Sequence, residues 1–480
     1  MDKALRRSAL LAIGLMLVLM VNVTYVQGFK AQSLRDNPLN NRQFQDQYAQ
    51  DRGSILAGGE RIAYSRRSGT SGGRAQYQRV YPDGEVFAPV TGYFGPFTRT
   101  GLERAENSML NGSDARLKIH DLFDTIAGKR PAGATVRSTI VPGAQRAAFQ
   151  ALRDSTTLRA AAVALDIKTG AILVLASYPS FDPNDLATHD VDAASKATER
   201  LQKDTFRKPL LNKAADELFP PGSSFKSVVA SAALGEGMTP GSTVRAGSSY
   251  TPPGTAKAIH NSEDSGPCNE ATTTLLNAYA QSCNTTFAYL GAQKLGNGTV
   301  GDEAARFGFG TAIEYAPDLT AAVSRFPDTD TPGTALASIG QGDTRATPLQ
   351  MAMVASAAAN GGELMKPHLV AKVTAGGSTL AETDAERMGS PLTADESAQL
   401  REMMVAVVQK GTATGLKGED IAGKTGTADV DGASYNERWF TGFSPVADPK
   451  YAVAVLTEGP GFGASAAGPI VAEIVKALGG

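Results

Sequence analysis

The segment ELFPPGSSFKS, residues 217–227, holds a break and a new start within a few positions. Pro220-Pro221-Gly222 stops a helix arriving from upstream. Phe225, Val228, Val229 and Ala232 then recur at helical spacing. Ser223 is therefore expected at a helix N-terminus, with Lys226 one turn on and on the same face. Free N–H groups and the positive end of the helix dipole favour developing negative charge there. A serine hydroxyl is a weak nucleophile and needs a base within hydrogen-bond reach. Lys226 can be that base only if burial or another cation lowers its pKa from about 10.4. No other lysine in the chain has serine three positions before it. Taken alone, the pair also fits an N-cap serine beside a solvated lysine.

Outward from this helix, the chain is Ala-rich and reads as mostly helical between about 185 and 415, as at 349–359. Two apolar runs precede that region, 161–167 and 171–178, joined by Lys168-Thr169-Gly170 as a β-hairpin. Three strand candidates follow it, at 421–430, 439–446 and 451–458, and Ile470, Val471, Ile474 and Val475 mark a last helix over 465–478. Two early strands, a helical insert, three late strands and a helix predict one antiparallel sheet with helices on both faces, an α/β chain of the α+β type. The change of texture puts a boundary near 154. Before it the pattern is mixed, with helices expected at 100–110 and 143–153, a polar stalk over 28–60 and a flexible loop at 66–74.

Composition removes several classes of function. The 480 residues carry 46 basic and 48 acidic side chains, a net charge of −2, which does not suit a broad basic surface for nucleic acid. Charged residues are 20% and apolar residues 42%, enough for packed cores, and length predicts two to four domains. His120, His189, His260 and His368 form no His-Glu-Xaa-Xaa-His pair, and two cysteines cannot build a zinc ribbon, so no metal or cofactor is expected.

Residues 8–27 carry no charge over a length matching a bilayer core, with Lys3, Arg6 and Arg7 before them. This reads as a transmembrane anchor with residues 1–7 in the cytoplasm and everything after Gly28 outside. A cleaved signal peptide has a shorter apolar core and small residues at its cleavage site, which Val26-Gln27-Gly28 lacks. An outside compartment permits a disulfide between Cys268 and Cys283, the only two cysteines, against the alternative of two buried thiols.

Two further motifs carry chemistry. Ser282-Cys283-Asn284 is a Ser-Xaa-Asn tripeptide, repeated only at Ser434-Tyr435-Asn436. Lys424-Thr425-Gly426-Thr427 lies inside an apolar strand, where glycine would let a ligand backbone approach closely. Lys-Thr-Gly recurs at 168–170, where a hairpin turn explains it. Gly69-Thr70-Ser71-Gly72-Gly73 matches GxSxG but lacks the strand-to-helix turn of an α/β-hydrolase. Trp439, the single tryptophan, sits beside the Lys-Thr-Gly strand and reads as core.

Ser223-Lys226, then Ser282-Asn284, then Lys424-Gly426, in that order, resemble the penicilloyl serine transferases, which include penicillin-binding proteins and serine β-lactamases. The duplicate tripeptides fail this order. ALDIKTGAILVLASYPSFDPN at 164–184, GQGDTRATPLQMA at 340–352 and IAGKTGTAD at 421–429 resemble class B penicillin-binding proteins. Arg52-Gly53-Ser54-Ile55 and GLERAENSMLNG at 101–112 resemble that class's non-catalytic N-terminal module. Leu-Ala-Gly-Gly follows Ile55 where many members have Asp-Arg, and Thr139-Ile140-Val141 lacks the usual acidic third residue. A short pedestal without C-terminal repeats looks most like the actinobacterial penicillin-binding protein A group.

The resemblance implies the penicillin-binding transpeptidase fold: a five-stranded antiparallel sheet between helical layers, an all-helical subdomain and a small pedestal. The expected divisions are a tail at 1–7, an anchor at 8–27, a pedestal at 28–154 and a transpeptidase domain at 155–480. The implied reaction is D,D-transpeptidation of peptidoglycan stem peptides. Ser223 attacks the penultimate D-alanine carbonyl, Lys226 takes its proton, and Ser282 relays a proton to the leaving amine. Asn284 holds the donor amide. Lys424, Thr425 and Thr427, on the strand with Gly426, bind the terminal carboxylate of substrate or β-lactam. Backbone N–H groups of Ser223 and Thr427 form the oxyanion hole. The disulfide Cys268–Cys283 would brace the second motif. Implied partners are stem peptides, β-lactams, the membrane and a separate glycan polymerase. The alternatives are a D-alanyl-D-alanine carboxypeptidase, an anchored β-lactamase, or a catalytically idle scaffold for cell-wall synthesis.

Overall fold

The computed structural model describes residues 3–26, 48–71, 74–120, 133–262, 266–430 and 432–479. They divide into two units, one comprising residues up to 51 with 66–78, the other 52–65 with 79–480. In the first, the helix Lys3–Tyr25 carries a 20-residue stretch, Arg6–Tyr25, of mean hydropathy 2.0. It is long and apolar enough to cross a membrane, and its side chains are exposed. Gln27, the expected end of the anchor, lies outside the described residues.

The second unit is organised by a five-stranded antiparallel sheet in the order Ala422–Asp429, Asn436–Ser444, Tyr451–Gly459, Ala160–Asp166, Ile172–Tyr178. The expected sheet is therefore present, closed by pairing the first early strand with the last late one, Val163 opposite Ala454. Both strands are near-continuous apolar runs, as burial on two faces requires; Val455, Leu456, Val163 and Leu165 are fully or almost fully buried. Each such side chain contributes about 1.5–3 kcal/mol over leaving it exposed. The helices Pro142–Ser155 and Gly463–Ala477 pack on each other and on this sheet. Pro348–Ala359 and Ala394–Lys410 make a second helical pair against it. Pro348–Ala359 is apolar all round, and every one of its residues is buried.

A second, six-stranded sheet corrects three expectations. Its order is Ser378–Glu382, Val370–Ala375, Thr135–Ser138, Ile55–Ala57, Glu60–Ser71, Arg74–Val80. The strands at 370–382 lie in the region read as mostly helical. They form a half-exposed hairpin, Ala375 opposite Ser378, and only its first strand joins the sheet, Val370 opposite Ser138, a partner 232 positions away that the local pattern does not reveal. Ile55–Ala57, placed in the polar stalk, is buried mid-sheet, and residues 66–71, read as a loop, prolong a strand. The expected helix at 100–110 is present in two pieces, Gly101–Ala105 and Asn107–Leu110.

The link between the two sheets is short. Thr139 N donates to Leu369 O at 2.9 Å, and Val141 N donates to Leu173 O at 2.9 Å. In space the chain passes from one sheet to the other at 139–141, and the helix ending at Ser155 already belongs to the five-stranded layer.

Candidate active site

Ser223 lies in a single 3₁₀ turn, Gly222–Phe225, that runs directly into the helix Lys226–Gly235. In a 3₁₀ turn positions three apart eclipse, so Ser223 and Lys226 share a face more closely than in an α-helix. Gly222 has φ +53, and a Cβ there would lie 2.5 Å from Thr427 O, so only glycine turns the chain this tightly against the strand. Three contacts fix the turn. Gly222 N donates to Gly340 O at 2.9 Å, Phe219 and Ala346 exchange backbone bonds of 2.9 and 2.8 Å, and Trp439 Nε1 donates to Pro220 O at 3.0 Å. Ser224, Phe225 and Lys226 are buried, whereas Ser223 remains half-exposed.

The edge strand Ala422–Asp429 lies against this turn. A Cβ on Gly426 would lie 2.8 Å from Pro221 O and 3.1 Å from Ser224 N. The protein's own turn makes a close approach at this glycine. Thr425 and Thr427 share the other face of the strand. Thr425 Oγ1 is 2.6 Å from Thr412 Oγ1, and Thr427 Oγ1, half-exposed, accepts from Gly463 N at 3.2 Å.

The second motif enters from a helix–helix junction between Leu275–Ala280 and Asn284–Tyr289. Ser282 adopts φ +59, a left-handed conformation that costs a non-glycine residue of order 1 kcal/mol or more and must be held by its surroundings. Cys283 N bonds to Ala278 O at 2.8 Å, and Cys283 forms the disulfide with Cys268, Cα–Cα 5.3 Å. Asn261, which nothing in the sequence singles out, adds a second tie. Its Nδ2 donates to Gly247 O and Cys268 O at 2.8 and 3.1 Å, and its Oδ1 accepts from Thr285 N at 3.1 Å.

The three motifs meet at Ser282. Lys424 Nζ donates to Ser282 Oγ at 2.9 Å, and Lys226 Nζ reaches the same oxygen at 3.2 Å. Lys226 Nζ also donates to Ser282 O and Asn284 Oδ1, both at 2.7 Å, while Asn284 Nδ2 donates to His260 O at 3.0 Å. The Ser223 hydroxyl is not among the acceptors of Lys226, so the expected serine–lysine bond is not drawn in this state. Catalytic contacts of this kind often tighten only around substrate.

Both lysines are 0% exposed. Burial, then the charge of Lys424, holds Lys226 well below the ordinary lysine range. Burial lowers Lys424 to about 7. Among the described residues no carboxylate offsets either one, so desolvation and like charge act unopposed. Tyr279, also missed by sequence reasoning, underlies the pair. Its ring centre is 5.7 Å from Lys424 Nζ, and its hydroxyl is 2.8 Å from Ser227 Oγ. Trp439 is fully buried, as read. The described residues offer no group of three or more His, Cys, Asp or Glu able to hold a metal. A half-exposed hydroxyl on a helix start, one turn before a buried amine that shares a second hydroxyl with another buried amine, suits acyl transfer.

The chain also matches known proteins over nearly its whole length. Residues 160–476 match the penicillin binding protein transpeptidase domain, and residues 52–136 the penicillin binding protein A dimerisation domain. A peptidoglycan D,D-transpeptidase PbpA of Mycolicibacterium smegmatis is 39% identical over 481 residues, covering 98% of this chain and 97% of that one. PbpA of Mycobacterium tuberculosis strain H37Rv is 38% identical over 494 residues, covering 99% of each. Penicillin-binding protein A from M. tuberculosis, solved as a penicillin G acyl-enzyme complex, superposes with a TM-score of 0.84 at 35% identity, over 90% of this chain and 100% of that one. With the catalytic fold, the three motifs and these relatives in agreement, the chain belongs to the penicillin-binding protein transpeptidase family.

Proposed function

We propose that this chain is a serine D,D-transpeptidase that crosslinks peptidoglycan stem peptides through an acyl-enzyme on Ser223 and is blocked there by β-lactams. The observation that carries the reading is the pair of buried lysines converging on Ser282, one of them a single turn after the half-exposed Ser223. Lys226 in its neutral form takes the Ser223 proton as the hydroxyl attacks the penultimate D-alanine carbonyl. Ser282, bonded to both amines, passes a proton to the departing D-alanine nitrogen. Asn284 keeps one face of Lys226 fixed and meets the donor amide. An acceptor amine then attacks the ester, forming the new amide and freeing Ser223.

The negative oxygen of the intermediate needs donors already in place. Backbone N–H groups of Ser223, at the start of the helical run, and of Thr427, on the edge strand, are the proposed pair; an edge strand leaves such groups unpaired toward the groove. Lys424, Thr425 and Thr427 would hold the terminal carboxylate, Thr425 by exchanging its Thr412 partner.

The apolar helix Lys3–Tyr25 is proposed as a single-pass anchor with Lys3, Arg6 and Arg7 on the cytoplasmic side and the catalytic unit outside. A separate polymerase would supply the glycan, a reading supported by the match of residues 52–136 to a dimerisation domain.

Labelling with a fluorescent penicillin and mapping the modified peptide tests the reading. A stable adduct on Ser223, absent in Ser223→Ala, is expected. An adduct on another side chain, or one that turns over within seconds as in a β-lactamase, would overturn it.

A further inference from the structure

The cleft leading from Asn284 has a volume of about 770 Å³, and one of its walls holds a carboxyl that the acylation chemistry leaves unused. Glu437 lies on the Asn436–Ser444 strand directly opposite Ala428, one step beyond Thr427 on the neighbouring strand. It is 3% exposed, and its Oε2 is enclosed without a hydrogen-bond partner. A buried carboxyl is costly unless donors meet it. Elsewhere in the chain they do. Glu103 receives Arg52, Arg79 and Tyr81, and Glu458 receives Arg159.

Arg159 and Arg345 act on this carboxyl and Lys257 lines the same cleft, but none of the three bonds to its Oε2. Arg159 is committed to Glu458 and Glu217, and Glu217 also takes Lys208. Arg345 donates to Gly342 O and Thr344 O at 2.7 and 2.9 Å. Glu217 likewise has an unpaired Oε2, but it does not line the cleft. Glu437 therefore lines the cleft with the charges of Glu458 and Glu217 acting on it and with one enclosed acceptor oxygen that no described residue fills. Burial and then Glu458 hold its carboxyl well above the usual range, outweighing Arg159 and Arg345. Such a group gains most from an arriving cationic donor. Asp429 is the only other carboxylate among the lining residues, which also include Lys257 and Arg345, so the acidic ligands are too few for a metal ion and Glu437 is left as the point for a single ammonium.

Resting on the transpeptidase reading, we infer that Glu437 is the docking group for the primary amine of the acceptor stem peptide, holding it in the cleft beside Asn284 and taking one proton from it, so that the free amine attacks the Ser223 ester and yields its second proton to Lys226 through Ser282.

A thioester acyl donor tests this when its acyl-enzyme is partitioned among water, a primary-amine acceptor and a hydroxy-acid acceptor of the same shape. In Glu437→Gln, Ser223 acylation by penicillin is expected to stay within about twofold, while the amine acceptor's KM rises about tenfold and product shifts toward hydrolysis. Transfer to the hydroxy acid should not change, and Glu437→Asp should recover part of the amine selectivity. Unaltered amine KM in Glu437→Gln, or equal losses for both acceptors, would overturn the inference while leaving the acyl-enzyme reading standing. A wild-type protein that acylates but transfers to no amine would overturn the transpeptidase reading and this inference with it.

Discussion

Two of the places where the molecule buries charge do so by opposite means. In the pedestal, Glu103 is fully enclosed but lies between two guanidiniums, with Arg52 Nε at 2.5 Å and Arg79 Nε at 2.6 Å, and Tyr81 adds a hydroxyl at 3.1 Å. Burial pushes the Glu103 carboxyl up, and the two arginines outweigh it, so the net displacement is downward and the carboxylate form is kept. In the groove, Lys226 and Lys424 are just as buried, share a neutral hydroxyl, and have no counter-ion among the described residues. The first arrangement holds a charge for structure. The second leaves charge unfavourable, which converts an amine that is protonated in water into a base. The same desolvation thus supports a scaffold or a reaction depending on what faces it.

Breaking the groove should cost the most. Lys226→Met removes the base, and penicillin acylation is expected to fall by about 10⁴-fold, about 5 kcal/mol of barrier, with the thermal midpoint little changed. A loss under tenfold in a stopped-flow or gel-labelling assay would mean that Lys226 is not the base.

Breaking the pedestal should do the reverse. Glu103→Ala strands two buried guanidiniums and is expected to cost about 3–5 kcal/mol of stability, read by chemical denaturation, while folded molecules still acylate. Its pH signature has a definite sign. A carboxyl whose folded pKa lies below the unfolded one contributes stability that is present above the unfolded value and lost as pH falls through the folded value. Wild type should therefore lose this contribution in acid, and Glu103→Gln should lack that part of the pH dependence. Identical pH curves for the two proteins would break the contrast.

Reducing the Cys268–Cys283 bond is the smaller perturbation. It closes a 15-residue separation, for which the chain-entropy model gives about 3 kcal/mol. Because Ser282 holds a left-handed conformation one residue away, acylation should drop as well, by a few-fold rather than to zero, since Asn261 still ties the loop. Unchanged acylation after verified reduction would remove the bracing role.

The sequence made some parts of this readable and hid others for physical reasons. Strands 160–166, 172–178, 422–429, 436–444 and 451–459 were legible to within three residues; in 160–166, 172–178 and 451–459 this is because sandwiching between helical layers demands near-continuous apolar runs. Motif residues were legible because Ser223 and Lys226 need a fixed helical spacing. The pedestal sheet was not, since Ile55–Ala57 is three residues long and the 370–382 hairpin is half-exposed and borrowed from the far side of the chain. Arg52, Arg79 and Glu103 look in sequence like ordinary solvated charges; only their convergence shows that they are buried. The close approach of the Pro221–Ser224 backbone to Gly426 is a tertiary fact. Glu437 gave no signal at all, being one acidic residue in a strand.

The claim that two buried amines prime Ser223 is tested most directly by the pH dependence of its acylation rate, in wild type and in Lys424→Met. Lys226 must be neutral to accept a proton, so the rate should be lost as pH falls through its lowered pKa, and the rising limb should lie well below the ordinary lysine value of about 10.4. Removing the Lys424 charge relieves repulsion on Lys226 and should move that limb to higher pH, whatever the variant does to substrate binding. A limb near the ordinary lysine value in wild type, or one that stays in place when Lys424 is replaced, would contradict the account.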